Sequence, residues 1–262
     1  MTRFEQILFL NGVLLEEMPQ YRQQAQKFAM EETQQRRLLR SLMNVRPPMP
    51  LQADFLVVQD ALLSAEREEK GVVTVDTLPA TADTRMFLWQ GDITRLAADA
   101  IVDADNSALL GCFCPCHNCI DNAIHSAAGL QLRDECNRIM QEQGHEEPVG
   151  RAKLTGAYNL PSNYVIHTVG PIVGARLTEA DCAALASCYR ACMELALEKG
   201  LGSIAFCCIS TGEYRFPNRE AAEIAVATVR DCLENSHGSI KVIWDVFKDE
   251  DARIYRTLLG AD

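Results

Sequence analysis

The first quarter of the chain has the hydrophobic pattern of helices. Residues 20–43 contain neither Gly nor Pro and are rich in helix-forming side chains. Residues 51–67 place apolar side chains on one side of a second helix, and the prolines within 47–50 separate the two. Residues 1–70 as a whole look helical. We therefore predict a helical N-terminal extension over residues 1–75.

Residues 70–85 are predicted to be a linker with one short strand, and beyond it apolar runs alternate with helical stretches. The runs have the length and β-branched content of strands, and they lie at 86–91, 100–105, 153–158, 164–170, 203–208 and 241–247. Helices are predicted at 120–142, 178–199, 217–235 and 249–259. This alternation indicates an α/β domain over 76–262, whose largely parallel sheet is covered on both faces. Such sheets bind ligands at the carboxyl ends of their strands.

Polar residues follow two of the predicted strands. Asp92, in the segment GDIT, is either a helix N-cap or an acceptor for an adenine amino group. Asn106 ends the segment IVDADN, and its amide offers both a donor and an acceptor to a ribose hydroxyl. The alternative is that Asp103, Asp105 and Asn106 are turn residues and nothing more.

The segment STGEYRFP, residues 210–217, follows another strand and precedes a helix. Gly212 and the small hydroxyl residues expose backbone N–H groups, which makes a cradle for a pyrophosphate. Tyr214 or Phe216 is placed to pack against a sugar. The segment lacks the P-loop lysine and the GxGxxG spacing, so neither a Walker ATPase nor a standard dinucleotide fold fits. An ordinary strand-to-helix turn is the alternative.

A cluster of cysteines carries the strongest chemical signal. Five metal-capable side chains lie within eight residues, namely Cys112, Cys114, Cys116, His117 and Cys119. Thiolate and imidazole are the ligands that Zn²⁺ prefers. No second Cys/His pair follows at finger spacing, and three ligands with one open position is the catalytic arrangement. The residue types alone leave open which three bind.

The residues directly after the cluster predict the start of a helix. Asp121 lies near its N-terminus, where the helix dipole is positive. His125 on this helix and His167 inside the strand YVIHTVG are interpreted as packed core histidines rather than ligands.

Charge and cysteine count narrow the partners and the compartment. A formal net charge of -11 argues against non-specific binding to nucleic acid or to anionic membranes. It leaves a phosphate ligand open, because helix N-termini and glycine turns bind phosphate without lysine. The odd number of cysteines, 11, and an N-terminus without the features of a signal peptide favour a reducing compartment. We expect a cytoplasmic protein without a membrane-spanning segment.

Taken together, these segments resemble the macrodomain family. They are GDIT (91–94), AIVDADNSALLG (100–111), CIDNAIHSAAG (119–129), LPSNYVIHTVGP (160–171) and SIAFCCISTGEYRFP (203–217). The resemblance implies a three-layer α/β/α sandwich that binds ADP-ribose. Ordinary members have a glycine-rich loop where this chain has its cysteine cluster. The replacement resembles a zinc-containing branch of bacteria and some fungi, whose members also have a helical N-terminal extension.

The resemblance implies a role for each candidate residue. Asp92 and Ile93 are expected to meet the adenine, and Asn106 to face the distal ribose. The sugar and phosphate path is expected to be lined by Cys119, Ile120 and Asp121. The pyrophosphate is expected to be held by Ser210, Thr211, Gly212 and Glu213, with Tyr214 or Phe216 closing the pocket.

The zinc ligands implied by the resemblance are Cys112, His117 and Cys119. Cys114 and Cys116 are then additional thiols. The chain also departs from the family at Asp103 and Asp105, where members usually have Asn and Ala.

The implied function is a zinc-dependent hydrolase that removes mono-ADP-ribose from acidic side chains of modified proteins. Asn106 and Asp121 are the catalytic candidates, with Asp105 or Asp121 placed to stabilise positive charge or to act as a base. Three alternatives stay open. They are a module that binds ADP-ribose without turnover, an O-acetyl-ADP-ribose deacetylase, and a structural zinc protein without a nucleotide site.

Overall fold

The structure is a computed structural model that describes residues 1–236 and 239–261. Its N-terminal part consists of helices α1 (Arg3–Glu17), α2 (Arg22–Ala25), α3 (Glu32–Val45) and α4 (Ala53–Lys70). Helix α1 begins with a capping box, in which the Thr2 hydroxyl accepts from the Glu5 N–H and the Glu5 carboxylate accepts from the Thr2 N–H.

The prediction of one continuous helix over 20–43 was wrong, because the structure has two helices there, α2 and α3. Residues 26–31 form a turn between α2 and α3. The side-chain amide of Gln35 donates to the Ala29 carbonyl, and the buried Asn11 amide donates to the Gln35 carbonyl and side chain. These hydrogen bonds between distant residues give a carbonyl of the turn a donor and hold Gln35 in place, and they outweigh the local helix propensity.

A six-stranded mixed sheet forms the centre of the remaining chain. The described residues contain eight strands, and six of them belong to this sheet. In chain order the eight strands are β1 (Val73–Thr74), β2 (Met86–Gln90), β3 (Leu96–Ala97), β4 (Ala100–Asp105), β5 (Ala152–Gly156), β6 (Tyr164–Val169), β7 (Ser203–Phe206) and β8 (Lys241–Val246). The sheet order is β2-β8-β7-β4-β6-β5, and only the edge strand β5 runs antiparallel to its neighbour. Short strands β1 and β3 pair separately, and β1 is the strand predicted in the linker.

Helices cover both faces of this sheet, since nearly every residue of β4, β7 and β8 is buried. They are α5 (Ile120–Ala128), α6 (Leu130–Gln143), α7 (Glu179–Glu198), α8 (Asn218–Asn235) and α9 (Asp249–Leu259). The helix predicted over 120–142 is two helices, because Gly129 adopts a φ of 97° between them. The α/β architecture with a helical extension is confirmed.

The apolar interior forms two clusters. One contains residues of α1, α3 and α4 together with Leu130, and the other extends from Val75 to Leu259 around the sheet. The domain boundary at 75 stays a prediction, and the predicted range 76–262 ends at a residue outside the described ones. Within 1–236 and 239–261, no helix combines the length and hydropathy needed to cross a membrane.

Candidate active site at the carboxyl edge of the sheet

The predicted site residues lie at one edge of the sheet. Strands β2, β8, β7, β4 and β6 are parallel, so their carboxyl ends meet there. Asp92 follows β2, Asn106 follows β4, and the 207–217 loop follows β7. The cysteine-rich loop leads from β4 into the N-terminus of α5, which packs against β4. The sequence therefore brings one polar segment from each of three strands to a common edge.

Cys112, His117 and Cys119 come together in the cysteine-rich loop. One donor atom from each lies within 4.8 Å of the other two. The Cys112 Sγ and His117 Nδ1 atoms are 3.7 Å apart. Cys119 is also the N-cap of α5, because its sulfur accepts a hydrogen bond from the Asn122 N–H at 3.4 Å. The helix start therefore fixes the position of one donor of the cluster.

These three donors fit a tetrahedral zinc ion. Standard Zn–S and Zn–N bond lengths place a thiolate sulfur and an imidazole nitrogen about 3.6 Å apart around such an ion, close to the observed separation. The other ring nitrogen of His117, Nε2, lies 3.6 Å from a Glu213 carboxylate oxygen. A carboxylate at that position orients a histidine ligand. Burial raises the pKa of the Cys119 thiol to about 12, so its thiolate needs an adjacent cation at neutral pH.

The other two thiols of the loop lie apart from this donor cluster. Cys114 is exposed. Cys116 turns toward α3, where its N–H donates to the Asn44 side chain at 2.9 Å and its sulfur lies 3.2 Å from the Ser41 hydroxyl. Cys116 has a left-handed backbone, with φ 52°, which directs its side chain away from the cluster.

Asn122, fully buried on the first turn of α5, joins the loop to the N-terminal extension. Its amide nitrogen donates to the Cys114 carbonyl at 3.0 Å, and its amide oxygen accepts from the Arg40 guanidinium at 2.8 Å. The same guanidinium donates to the His117 carbonyl at 3.2 Å. Arg40 of α3 therefore holds the backbone of one predicted metal ligand, a contact that no local motif signals.

Arg133 on α6 makes a second connection between loop and extension. Its buried guanidinium donates to three carbonyl oxygens, those of Leu110 at 2.6 Å, Met43 at 2.8 Å and Arg46 at 2.6 Å. The guanidinium also lies 4.4 Å from the centre of the Phe113 ring. The sequence reading missed this residue, because its partners are backbone atoms distant in sequence.

Gly111 permits a close approach beneath the loop. A Cβ atom at this position would lie 2.9 Å from the His125 ring, and the residue has a φ of 79°. Glycine is therefore required where the loop crosses α5.

Asn106, directly after β4, and Asp121, in the first turn of α5, face each other at the carboxyl edge of the sheet. The Asn106 amide nitrogen lies 3.5 Å from one Asp121 carboxylate oxygen and 3.4 Å from the Gly111 carbonyl. The Asn106 side-chain oxygen accepts from the Ala108 N–H at 3.0 Å, so the residue also forms the turn given as its alternative role. Burial, and then the charges of Asp105 and Asp103, raise the pKa of Asp121 well above its usual range.

Asp92 is the N-cap of a short 3₁₀ turn, Ile93–Arg95, which was one of its two predicted roles. Its Oδ1 atom accepts from the Thr94 N–H at 3.0 Å and from the Thr94 hydroxyl at 2.6 Å. Ile93 is buried, so only its backbone is available to a ligand. Contact of either residue with adenine stays a prediction.

The 207–217 loop presents unused backbone donors. Among the described residues, no protein acceptor receives the N–H groups of Gly212, Glu213 and Tyr214. Ser210 lies in the left-handed region with φ 65°, and its buried hydroxyl has no hydrogen-bond partner there. Phe216 is 1% exposed and supports the loop from below, whereas Tyr214 is half-buried. These features suit the predicted pyrophosphate cradle, and Tyr214 is the better placed of the two aromatic candidates.

Asp105, His125 and His167 lie beneath the site rather than in it. The two histidines are buried as predicted, but they face carboxylates instead of apolar side chains. The Asp105 carboxylate is enclosed between both rings, and the imidazoles lower its pKa despite the burial that opposes this. An Asp105 side chain in this position does not line the edge where substrate would bind.

Comparison with known proteins identifies the family. The model of the Macro domain family matches residues 102–225. The chain is 49% identical to a protein-ADP-ribose hydrolase of Treponema medium over 263 residues, covering 99% of this chain and 100% of that protein. It is 47% identical to a protein-ADP-ribose hydrolase of Staphylococcus aureus (strain MRSA252) over 226 residues, covering 86% of this chain and 85% of that protein.

Solved structures agree with this assignment. A Trypanosoma brucei macrodomain in complex with ADP-ribose superimposes with a TM-score of 0.66 at 30% identity, covering 84% of this chain and 95% of that one. A mutant Oceanobacillus iheyensis macrodomain with ADPR gives a TM-score of 0.62 at 37% identity, covering 67% of this chain and 91% of that one. The chain belongs to the Macro domain family.

Proposed function

We propose that this protein is a zinc-dependent hydrolase that removes mono-ADP-ribose from acidic side chains of modified proteins. The observation that carries the proposal is the cluster of Cys112, His117 and Cys119 donors at the start of α5. The cluster follows β4, whose end carries Asn106, at the same sheet edge as the loop with unused N–H donors. A metal and a phosphate cradle at one edge suit a phosphorylated sugar.

The relatives support the hydrolase part of the proposal. Both bacterial proteins compared above are named protein-ADP-ribose hydrolases, and the chain covers 100% of one and 85% of the other. The named ligand of the Trypanosoma brucei structure is ADP-ribose. The metal is proposed from the loop chemistry of this chain, and the substrate linkage is proposed from its resemblance to the zinc-containing branch.

The residues of the chain divide the work of binding and catalysis. The N–H groups at 212–214 bind the pyrophosphate. The Asn106 amide binds a hydroxyl of the distal ribose, and the Asp121 carboxyl lies beside that amide, within reach of the same sugar. Zinc held by the loop supplies a Lewis acid for an oxygen of the ribose or of the ester. Glu213 orients the His117 ring.

The proposed reaction is a hydrolysis. The bond between C1'' of the distal ribose and the carboxylate oxygen of the modified side chain breaks, and its electron pair stays on the carboxylate. Water adds to C1'' and loses a proton, which releases ADP-ribose and the unmodified acidic residue. The sugar passes through an oxocarbenium-like state, as in glycoside cleavage.

The test is a panel of proteins carrying mono-ADP-ribose on one defined type of side chain. We expect release of ADP-ribose from the aspartate- or glutamate-modified member and much slower release from serine- and arginine-modified members. Release should be measured by mass spectrometry of both the protein and the free nucleotide. Tight ADP-ribose binding by calorimetry without turnover would instead identify a binding module. Preferred turnover of O-acetyl-ADP-ribose would identify a deacetylase.

A further prediction concerns Arg40, which donates to the His117 carbonyl and to Asn122. Replacing Arg40 by Ala should weaken zinc binding about 10-fold, within the range seen when outer partners of metal ligands are removed. The measurement is competition with a chromogenic chelator. Arg37→Ala is the matched control, since this exposed arginine contributes only its backbone carbonyl, which accepts from Ser41 and Cys116. Equal zinc affinity of both variants and the wild type would contradict a supporting role for Arg40.

A further inference from the structure

A second group of metal-capable side chains lies inside the protein, below the edge that carries the candidate site. Asp103 and Asp105 project from the same face of β4. His167 of β6 pairs with Asp103 in the strand register, and His125 of α5 covers this face. The four residues are between 0% and 5% exposed. One donor atom from each lies within 4.8 Å of all the others.

These side chains face one another without hydrogen bonds. The His167 Nδ1 atom is 3.3 Å from the Asp105 Oδ2 atom and 3.7 Å from the Asp103 Oδ2 atom. The His125 Nε2 atom is 3.9 Å from both of these oxygens. Neither carboxylate oxygen of Asp103 has a hydrogen-bond partner among the described residues, nor has either ring nitrogen of His125. Buried polar atoms almost always have hydrogen-bond partners, so a cluster of unpaired polar atoms at one buried place needs an explanation.

Three carboxyl groups surround the two imidazole rings of this region. Asp103 and Asp105 are buried against both imidazole rings, and an Asp121 carboxyl oxygen lies 3.6 Å from the same His125 nitrogen. The guanidinium of the neighbouring buried Arg133 donates its hydrogen bonds to three backbone carbonyls and to none of these carboxyl groups. Burying carboxyl groups whose oxygens lack hydrogen-bond partners is costly. A cation between the four side chains reduces this cost and gives one donor atom of each residue a partner.

We propose that Asp103, Asp105, His125 and His167 bind one divalent transition-metal ion, at a site separate from the cysteine-rich loop. Two carboxylates balance the charge of such an ion, and two neutral imidazoles favour zinc or iron over magnesium or calcium. Tetrahedral zinc with oxygen and nitrogen ligands places its donors about 3.3 to 3.5 Å apart. The observed separations, 3.3 to 3.9 Å, allow this geometry with small side-chain adjustments.

The surroundings of His167 support this set of ligands. Its other nitrogen, Nε2, lies 2.9 Å from the Thr155 hydroxyl. A partner on one ring nitrogen orients the ring and leaves the opposite nitrogen free for a metal. The Cys136 sulfur lies 3.7 Å from the same Nε2 atom, on the far side from the carboxylates. A set of His125, Cys136 and His167 would leave the Asp103 carboxylate without a partner, so it explains less.

The ion has a structural rather than a catalytic role. All four ligands are protein side chains and all are buried, so no open position faces substrate. The site connects β4, β6 and α5 directly beneath Asn106 and Asp121. Its ligands are independent of the loop cysteines, and the proposal stands whether or not the loop binds zinc.

The test is the metal content of the purified full-length chain, measured by plasma mass spectrometry after dialysis against a mild chelator and readdition of Zn²⁺. We expect two ions per wild-type chain. The variant with Cys112, His117 and Cys119 all replaced by Ala should keep one ion. The double variant Asp103→Asn and Asp105→Ala, which carries the residues usual in the family, should also keep one. A loop variant that holds no metal would overturn the proposal.

Cobalt substitution keeps the proposal testable if the double variant does not fold. The loop variant loaded with Co²⁺ should show visible ligand-field bands without a thiolate charge-transfer band, because its remaining ligands are oxygen and nitrogen. Cys136→Ser should leave these bands unchanged, and their loss would exclude the proposed ligand set. Asp245→Asn is the matched control, since Asp245 is a similarly buried carboxylate on β8 outside the group. It should leave the metal content at the wild-type value.

Discussion

Replacing Cys112, His117 and Cys119 together by alanine is expected to reduce release of ADP-ribose from an aspartate- or glutamate-modified protein by at least about 100-fold. A metal Lewis acid contributes several kcal/mol to such a reaction, and each 1.36 kcal/mol corresponds to about a factor of ten in rate. The sheet and its cores do not depend on these side chains, so the variant should keep its circular dichroism spectrum. Single-turnover kinetics would measure the effect on the chemical step.

Cys114→Ala is the matched control for this experiment. Cys114 lies in the same loop, but its exposed side chain is outside the donor cluster. Its replacement should change neither zinc content nor turnover by more than about twofold, the size expected for a surface substitution. Wild-type activity of the triple variant, with an intact fold, would rule out a catalytic role for the loop metal.

Replacing Arg133 by alanine is expected to lower the free energy of unfolding by about 2 to 4 kcal/mol. The substitution leaves the carbonyls of Leu110, Met43 and Arg46 without their buried donor, and each unpaired buried group costs about 1 to 3 kcal/mol. Relief from burying the guanidinium offsets part of that loss. Urea unfolding followed by tryptophan fluorescence would measure the change, because Trp244 lies in the sheet core.

Arg138→Ala provides the comparison for Arg133. Arg138 lies on the same helix, its side chain is 68% exposed, and its nearest acidic partner is 4.0 Å away. Such an exposed ion pair contributes little, so the free energy of unfolding should change by less than about 0.5 kcal/mol. Equal stability of the Arg133 variant and the Arg138 variant would show that the three carbonyls find other partners.

Much of the fold was predicted from the sequence because short apolar runs mark the strands and longer helix-forming stretches separate them. Alternating apolar runs located β2, β4, β6, β7 and β8 within a residue or two. The two wrong helix predictions have different causes. Gly129 ends α5 because it adopts a positive φ of 97°. From sequence alone, a single glycine only lowers the expected helix propensity and does not show that the helix stops there. The turn at 26–31 is held by Asn11 and Gln35, and contacts between distant residues are invisible to a local pattern.

The candidate site was predictable where its residues are neighbours in sequence. Cys112, His117 and Cys119 lie in one short loop, so their spacing already favours a common ion. Arg40 and Arg133 were not found, because their partners are backbone carbonyls in other elements. The four residues of the buried group lie on three elements, and His125 and His167 each resemble an ordinary core histidine until their neighbours are known.

The attachment of the cysteine-rich loop to α3 has a consequence for how this loop is inherited. Arg40 and Asn44 contact the loop backbone at His117 and Cys116, and Asn122 completes the same network from α5. A loop grafted onto a macrodomain without α3 would lose the donors and acceptors that shape it. Positions 40, 44 and 122 should therefore be gained and lost together with the loop when lineages are compared, as a single evolutionary module.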